Sequence, residues 1–115
     1  MVENESRIMT ALELSNILCD FAIEIDEVKT IASITSMMLK EFFPNADFRG
    51  DRDTFKERLG SVTATITSNG LIKFFGKLGN ISGNPVLASL LGTIIISKIF
   101  PDIGNEEHIN IKEVN

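Results

Sequence analysis

Few side chains of this 115-residue chain have the types and spacing that catalysis requires. A nucleophilic cysteine needs a base beside it, but the single cysteine, Cys19, and the single histidine, His108, share no local pattern. Cys19 is expected to be a small core residue instead. The chain is therefore predicted not to be an enzyme.

Carboxylates and glycines are the remaining candidates for a bound metal or cofactor. Acidic residues cluster at Glu24, Asp26 and Glu27 and again at Asp51 and Asp53, without the spacing of a calcium-binding loop. One cysteine and one histidine are too few for the usual zinc sites. The glycine-rich residues 70–85 do not match the pattern of a phosphate-binding loop. Neither a metal nor another cofactor is predicted.

Basic side chains offer a different chemistry, namely contact with phosphate groups. The formal net charge is −5, and an acidic chain is a poor match for nucleic acid. Residues 40–77 nevertheless carry seven basic and five acidic groups. Such charges are typical of solvated helix faces, but they are also the predicted nucleic-acid contacts: Lys40, Arg49, Arg52, Lys56, Arg58, Lys73 and Lys77. Arg52 with Lys56, and Lys73 with Lys77, have the spacing of one helical turn.

The composition is typical of a globular domain, with 43% hydrophobic and 23% charged residues. At this length a single domain over residues 1–115 is expected, with residues 104–115 as a flexible tail. One cysteine allows no internal disulfide, which suits a reducing compartment, and the acidic start lacks the features of a secretory signal. A cytoplasmic location is therefore expected.

A long uncharged stretch covers residues 80–97. Its strongly apolar part, residues 86–96, is about half of the roughly 20 residues that are needed to span a bilayer. A buried core helix is the better interpretation, and no membrane association is predicted.

Apolar residues at helical spacing predict an all-α fold, a compact bundle of four to five helices. The clearest boundaries are Pro44, which ends a helix, and Asn84-Pro85, a capping residue before proline at the first helical position. Residues 45–53 are polar and predict a loop, after which Asp51 or Asp53 caps another helix. No internal repeat is visible. The expected helices cover about residues 5–21, 26–42, 54 onward and 86–100.

Residues 61–79 allow two interpretations. Alternating β-branched residues before Asn69-Gly70 are typical of a β-hairpin. In contrast, Phe55, Leu59, Val62 and Ile66 follow one face of a helix. A lone hairpin is marginally stable without further strands, so we expect a helix, with Asn69-Gly70 inside it or at its C-cap.

This segment resembles the small helical subunit of type III-B CRISPR effector complexes. In that family a basic residue precedes a small, apolar run, an Asn-Gly-Leu triplet, an aromatic residue and a lysine, and an apolar C-terminal helix follows. The small subunits of type III-A and type I-A complexes are related alternatives. The matching residues here are Lys56 and Arg58, Asn69-Gly70-Leu71, Phe74 or Phe75, and Lys77.

The resemblance implies a non-catalytic subunit that packs against other subunits of a ribonucleoprotein effector. Such a subunit would contact guide and target RNA independently of sequence through the seven basic residues named above. A second hypothesis comes from a different class of protein. A small helical partner-binding protein, such as an immunity protein or a phage inhibitor, would use the acidic N-terminal third to cover a basic partner.

Overall fold

A computed structural model describes residues 4–101 of the chain. The prediction of a mostly helical protein is confirmed, but the all-α prediction is wrong in one respect, because two strands pair into a small sheet. The predicted tail at residues 104–115 lies outside the described residues, as does His108. In chain order the elements are β1 (Ser6–Thr10), α1 (Ala11–Ile25), α2 (Val28–Phe42), α3 (Arg52–Ser61), β2 (Thr63–Thr67), α4 (Ser68–Ser82) and α5 (Pro85–Ile99).

The two strands form an antiparallel ribbon. The backbone N–H of Ser68 donates to the carbonyl of Glu5 at 2.9 Å, and the N–H of Ala11 donates to the carbonyl of Val62 at 3.1 Å. These two hydrogen bonds bracket the strands and place Ile8 opposite Thr65 at their centre. The predicted helix over residues 5–21 is therefore wrong at its start.

The chain divides into two compact units. The boundary crosses each strand once, between Arg7 and Ile8 in β1 and between Thr65 and Ile66 in β2. One unit is Ile8–Thr65, in which α1 packs against α2 and α3. Its fully buried side chains include Met9, Leu14, Leu18, Ile31 and Met38. The other unit joins Met1–Arg7 to Ile66–Asn115, and in it α4 packs against α5. Its fully buried side chains include Ile66, Leu71, Phe75, Ile95 and Ile96.

The order strand–helix–helix occurs twice with a constant spacing of 57 residues. The first set has lengths of 5, 15 and 15 residues, as does the second, and burial alternates in the same way along both strands. The repeat is hidden in the sequence because few equivalent residues are identical. Over residues 6–44 and 63–101 these are Thr10 and Thr67, Leu14 and Leu71, Phe43 and Phe100, and Pro44 and Pro101.

Equivalent threonines start the first helix of each set. The Thr10 hydroxyl oxygen accepts a hydrogen bond from the N–H of Glu13 at 3.0 Å, and the Thr67 hydroxyl oxygen accepts one from the N–H of Gly70 at 2.9 Å. Each threonine is also the last residue of its strand. Each cap therefore fixes the point at which a strand turns into a helix.

The predicted caps and stops are largely confirmed. Asn84 caps α5 by accepting from the N–H of Leu87 at 3.2 Å, and Asp51 caps α3 by accepting from the N–H of Thr54 at 2.8 Å. The helix predicted through Ile66 is wrong, because α3 ends at Ser61 and β2 follows. Asn69-Gly70 is neither a hairpin tip nor a C-cap. It lies inside a helix, as one of the two predicted alternatives has it, but in the first turn of α4.

Candidate nucleic-acid interface

The seven predicted nucleic-acid contacts are all exposed. Five belong to the Ile8–Thr65 unit and two to the other unit. The first group lies near the end of α2, in the following loop and on α3: Lys40, Arg49, Arg52, Lys56 and Arg58. Lys73 and Lys77 lie one turn apart on α4, as Arg52 and Lys56 do on α3.

Two of these cations are held by Asp47 in the loop before α3. Arg49 donates from Nε and Nη2 to the two carboxylate oxygens of Asp47, at 3.0 and 3.1 Å. Arg58 donates from Nη1 to the backbone carbonyl of Asp47. The side-chain hydrogen bond from Arg49 lowers the pKa of Asp47 to about 2. Arg49 and Arg58 thus organise the loop, and this competes with contact to phosphate.

The aromatic residues that the resemblance singles out do not lie on the surface. Phe74 and Phe75 are buried, and their rings meet edge to face with centroids 5.0 Å apart. Bases stack only on exposed rings. These two phenylalanines therefore serve the core between α4 and α5.

The surface that sequence reasoning missed is the outward face of the ribbon. Met9 is buried, whereas its neighbour Ile8 is 73% exposed. In the register given above, Ile8 faces Thr65 and Thr10 faces Thr63. We call these four residues the ribbon face, and all of them belong to the Ile8–Thr65 unit. The alternation of threonine with Ala64 and Ile66 was the available sequence signal for it.

The ribbon face carries no charge. The Thr10 hydroxyl donates a hydrogen bond to the Glu13 carboxylate at 3.2 Å. Thr63 and Thr65 are exposed, and their hydroxyls make no hydrogen bond to another described residue. The face therefore offers two hydroxyl groups and several methyl groups to a ligand.

The opposite face of the ribbon differs between its two strands. Arg7 on β1 donates from Nη1 to the carbonyl of Ile99 at 3.2 Å, which satisfies an acceptor in the last turn of α5. The equivalent residue on β2 is Ala64. Beside Ala64 there is a cleft of about 360 Å³, which Phe42 and Phe43 also line. No titratable side chain lines this cleft, so it offers no acid or base.

Cys19 is exposed, so the prediction of a core residue is wrong. It lies at an apolar groove of about 270 Å³ between α1, α2 and α3, beside Val28 and Phe55. No histidine or charged residue lines the groove, so it contains no base that would activate the thiol. The predicted acidic surface is exposed where α1 ends, at Glu24, Asp26 and Glu27, and its role in partner binding stays a prediction.

Within residues 4–101, no helix combines the length and hydrophobicity that crossing a bilayer requires. The same residues contain no group of three or more side chains that could hold a metal ion. Comparison of the chain with protein-family models, curated proteins and solved structures finds no significant match.

Proposed function

We propose that this protein is a non-catalytic DNA-binding protein that places its ribbon face in the major groove of double-stranded DNA. The observation that supports the proposal is a two-stranded antiparallel ribbon with an exposed, uncharged outer face. The major groove is wide enough to admit a two-stranded β-ribbon, and one class of DNA-binding proteins reads bases in this way. The deep, narrow major groove of duplex RNA is a poorer fit.

The register of the strands adds to this argument. Antiparallel pairing gives the ribbon a local two-fold axis between Ile8 and Thr65. The backbone of duplex DNA also has local two-fold axes, and dimeric DNA-binding proteins match them with their own symmetry. Here one chain supplies both strands, because the strand–helix–helix set is repeated.

The charge of the chain bears on the kind of binding to expect. The net charge is −5, and the four residues of the ribbon face offer no cation to the phosphates. The slope of affinity against salt follows the number of phosphates that are neutralised. Binding should therefore depend on base contacts, and its affinity should fall less steeply with salt than that of a basic protein.

The experiment is fluorescence anisotropy of the full chain with labelled 24-base-pair duplexes at 50 and 200 mM salt. Thr65→Glu should weaken binding about tenfold and Thr65→Lys should strengthen it, because both place a charge between the phosphates of the groove. Ser33, an exposed residue of α2, is the control, with Ser33→Glu and Ser33→Lys. No duplex binding at 50 mM salt, or equal effects at the two positions, would refute the proposal.

The second candidate function is the one that the resemblance implies, a cytoplasmic subunit of a CRISPR effector that contacts RNA. The exposed pair Lys73 and Lys77 favours it, because both lie on α4 at the spacing that could straddle phosphates. The double substitution of both lysines by glutamate should then abolish RNA binding and association with the products of neighbouring genes. Lys29→Glu, on the exposed surface of α2, is the control.

A further inference from the structure

We infer that the ribbon face recognises the methyl groups of thymine, so that its ligand is duplex DNA containing A·T pairs. This inference rests on the proposed function and narrows it. In place of duplex DNA in general, it names duplexes whose pyrimidines carry a methyl group at C5, which projects into the major groove.

The side chains of the ribbon face limit which bases it can recognise. In the major groove, guanine is read by arginine or lysine, adenine by asparagine or glutamine, and cytosine by aspartate or glutamate. None of these occurs among Ile8, Thr10, Thr63 and Thr65. Two modes of direct readout remain for such a face: hydrogen bonds from the threonine hydroxyls, which several bases can accept, and apolar contact of the threonine methyl groups with the thymine methyl group, which only thymine offers among the four bases.

The register of the strands brings two of these side chains together. Hydrogen-bonded pairs alternate with non-hydrogen-bonded pairs, and the bonds at Glu5 and Ala11 place Ile8 and Thr65 in a non-hydrogen-bonded pair. Side chains of such pairs lie close together. The Ile8 side chain and the Thr65 methyl group thus form one apolar spot at the centre of the ribbon. Covering it with base methyl groups would remove apolar surface from water.

The threonine hydroxyl groups can form hydrogen bonds with the bases of an A·T pair. Thr63 and Thr65 can donate to O4 of thymine or accept from the N6 amino group of adenine, and their methyl groups lie on the same side chains. An A·T pair can therefore satisfy both the polar and the apolar part of each threonine. A G·C pair has no methyl group, so it leaves the apolar part without a contact.

The test uses four 24-base-pair probes that differ pairwise by the C5 methyl group. They are alternating d(AT), the same duplex with deoxyuridine for thymidine, alternating d(GC), and the same duplex with 5-methylcytosine. We expect the uracil duplex to bind at least fourfold more weakly than the thymine duplex, and methylation to strengthen binding to d(GC). Each contacted methyl group should contribute about three- to fourfold in affinity.

Two variants with equally exposed isoleucines locate the effect. Ile8 and Ile81 are both 73% exposed, but Ile81 lies on α4. Ile8→Ser should reduce the ratio of thymine-duplex to uracil-duplex affinity towards one, and Ile81→Ser should leave it unchanged. A ratio of one for the unmodified chain would overturn this inference alone. Failure to bind any of the four duplexes, or tighter binding to an RNA duplex, would overturn the proposed function as well.

Discussion

Ile8 and Thr65 face each other at the centre of the ribbon, and each holds the same place in its own strand–helix–helix set. Every pair of residues that is 57 positions apart likewise holds equivalent places in the two sets, although only Ile8 and Thr65 also face each other. The chain therefore contains internal controls, since equivalent places carry different side chains. Two of the following predictions use such differences.

The two capping threonines should contribute unequally to stability. Thr67→Ala should lower the free energy of unfolding by about 1 kcal/mol, because one N–H of α4 loses its acceptor. Thr10→Ala should cost more, because it also removes the hydrogen bond that the Thr10 hydroxyl donates to the Glu13 carboxylate at 3.2 Å, within a capping box. Urea unfolding measures both, with Thr63→Ala as a control that caps no helix. If the Thr67→Ala variant is as stable as Thr63→Ala, Thr67 does not stabilise α4 as its N-cap.

Two helical glycines should respond in opposite directions to alanine. A Cβ at Gly79 would lie 3.0 Å from Cα of Pro85 and 3.4 Å from Cβ of Ala88, so Gly79→Ala should destabilise the protein by about 1–2 kcal/mol. A Cβ at Gly60 would meet only Leu12 Cδ2, at 3.7 Å. Gly60→Ala should therefore stabilise the protein by up to about 1 kcal/mol. Thermal unfolding compares the two, and the reverse order would show that α4 and α5 can separate at little cost.

Arg7 and Ala64 should behave as a reciprocal pair. Arg7→Ala removes a charged donor from the carbonyl of Ile99 and should cost about 1–3 kcal/mol. Ala64→Arg places the same side chain at the cleft of about 360 Å³ beside Phe42. A cation near the C-terminal turn of α2, where Phe42 lies, is favoured by the helix dipole, so the variant should be more stable by about 0.3–1 kcal/mol. Denaturant unfolding of both variants is the measurement, and a destabilised Ala64→Arg variant would show that the two sites are not equivalent.

Acid should weaken the start of α3. The hydrogen bond from the backbone of Thr54 lowers the pKa of Asp51 below its ordinary value of 3.8. A carboxylate with a lowered folded-state pKa stabilises the fold above its unfolded pKa, and this contribution disappears as pH falls through the folded value. Stability should therefore decline from about pH 4 downward. The decline should be smaller in Asp51→Asn, which keeps a capping oxygen but does not titrate. Urea unfolding between pH 2 and 6 tests this. If the free energy of unfolding falls equally steeply with pH in the unmodified chain and in Asp51→Asn, Asp51 is not the group responsible.

Sequence patterns predicted the parts of the fold that local signals determine. Pro44, Asn84 and Asp51 act within a few residues, so the end of α2, the start of α5 and the cap of α3 could be predicted. The strands could not, because β1 and β2 find their partners only in each other, far along the chain. The helical stripe at Phe55, Leu59 and Ile66 was misleading, because Leu59 is a buried residue of α3 whereas Ile66 is a buried residue of β2.

Of the candidate site, likewise, one part could be predicted from the sequence and one part could not. Charged side chains are rarely buried, so the exposure of the seven basic residues could be expected from their type. The ribbon face could not, because a threonine or isoleucine is outward-facing only once its strand and register are known. That register depends on a pairing between Ile8 and Thr65 that no local pattern specifies.

The separation of the two strands along the chain also predicts the order of folding. The helix pairs α1–α2 and α4–α5 join neighbours in sequence, whereas the ribbon requires residues 11–62 to close into a loop. Local contacts form fast and distant ones late. Met9→Ala should therefore accelerate unfolding and leave the refolding rate almost unchanged in stopped-flow experiments. If so, a ligand of the ribbon face binds only chains that have completed folding, and its binding would lengthen the lifetime of the native state.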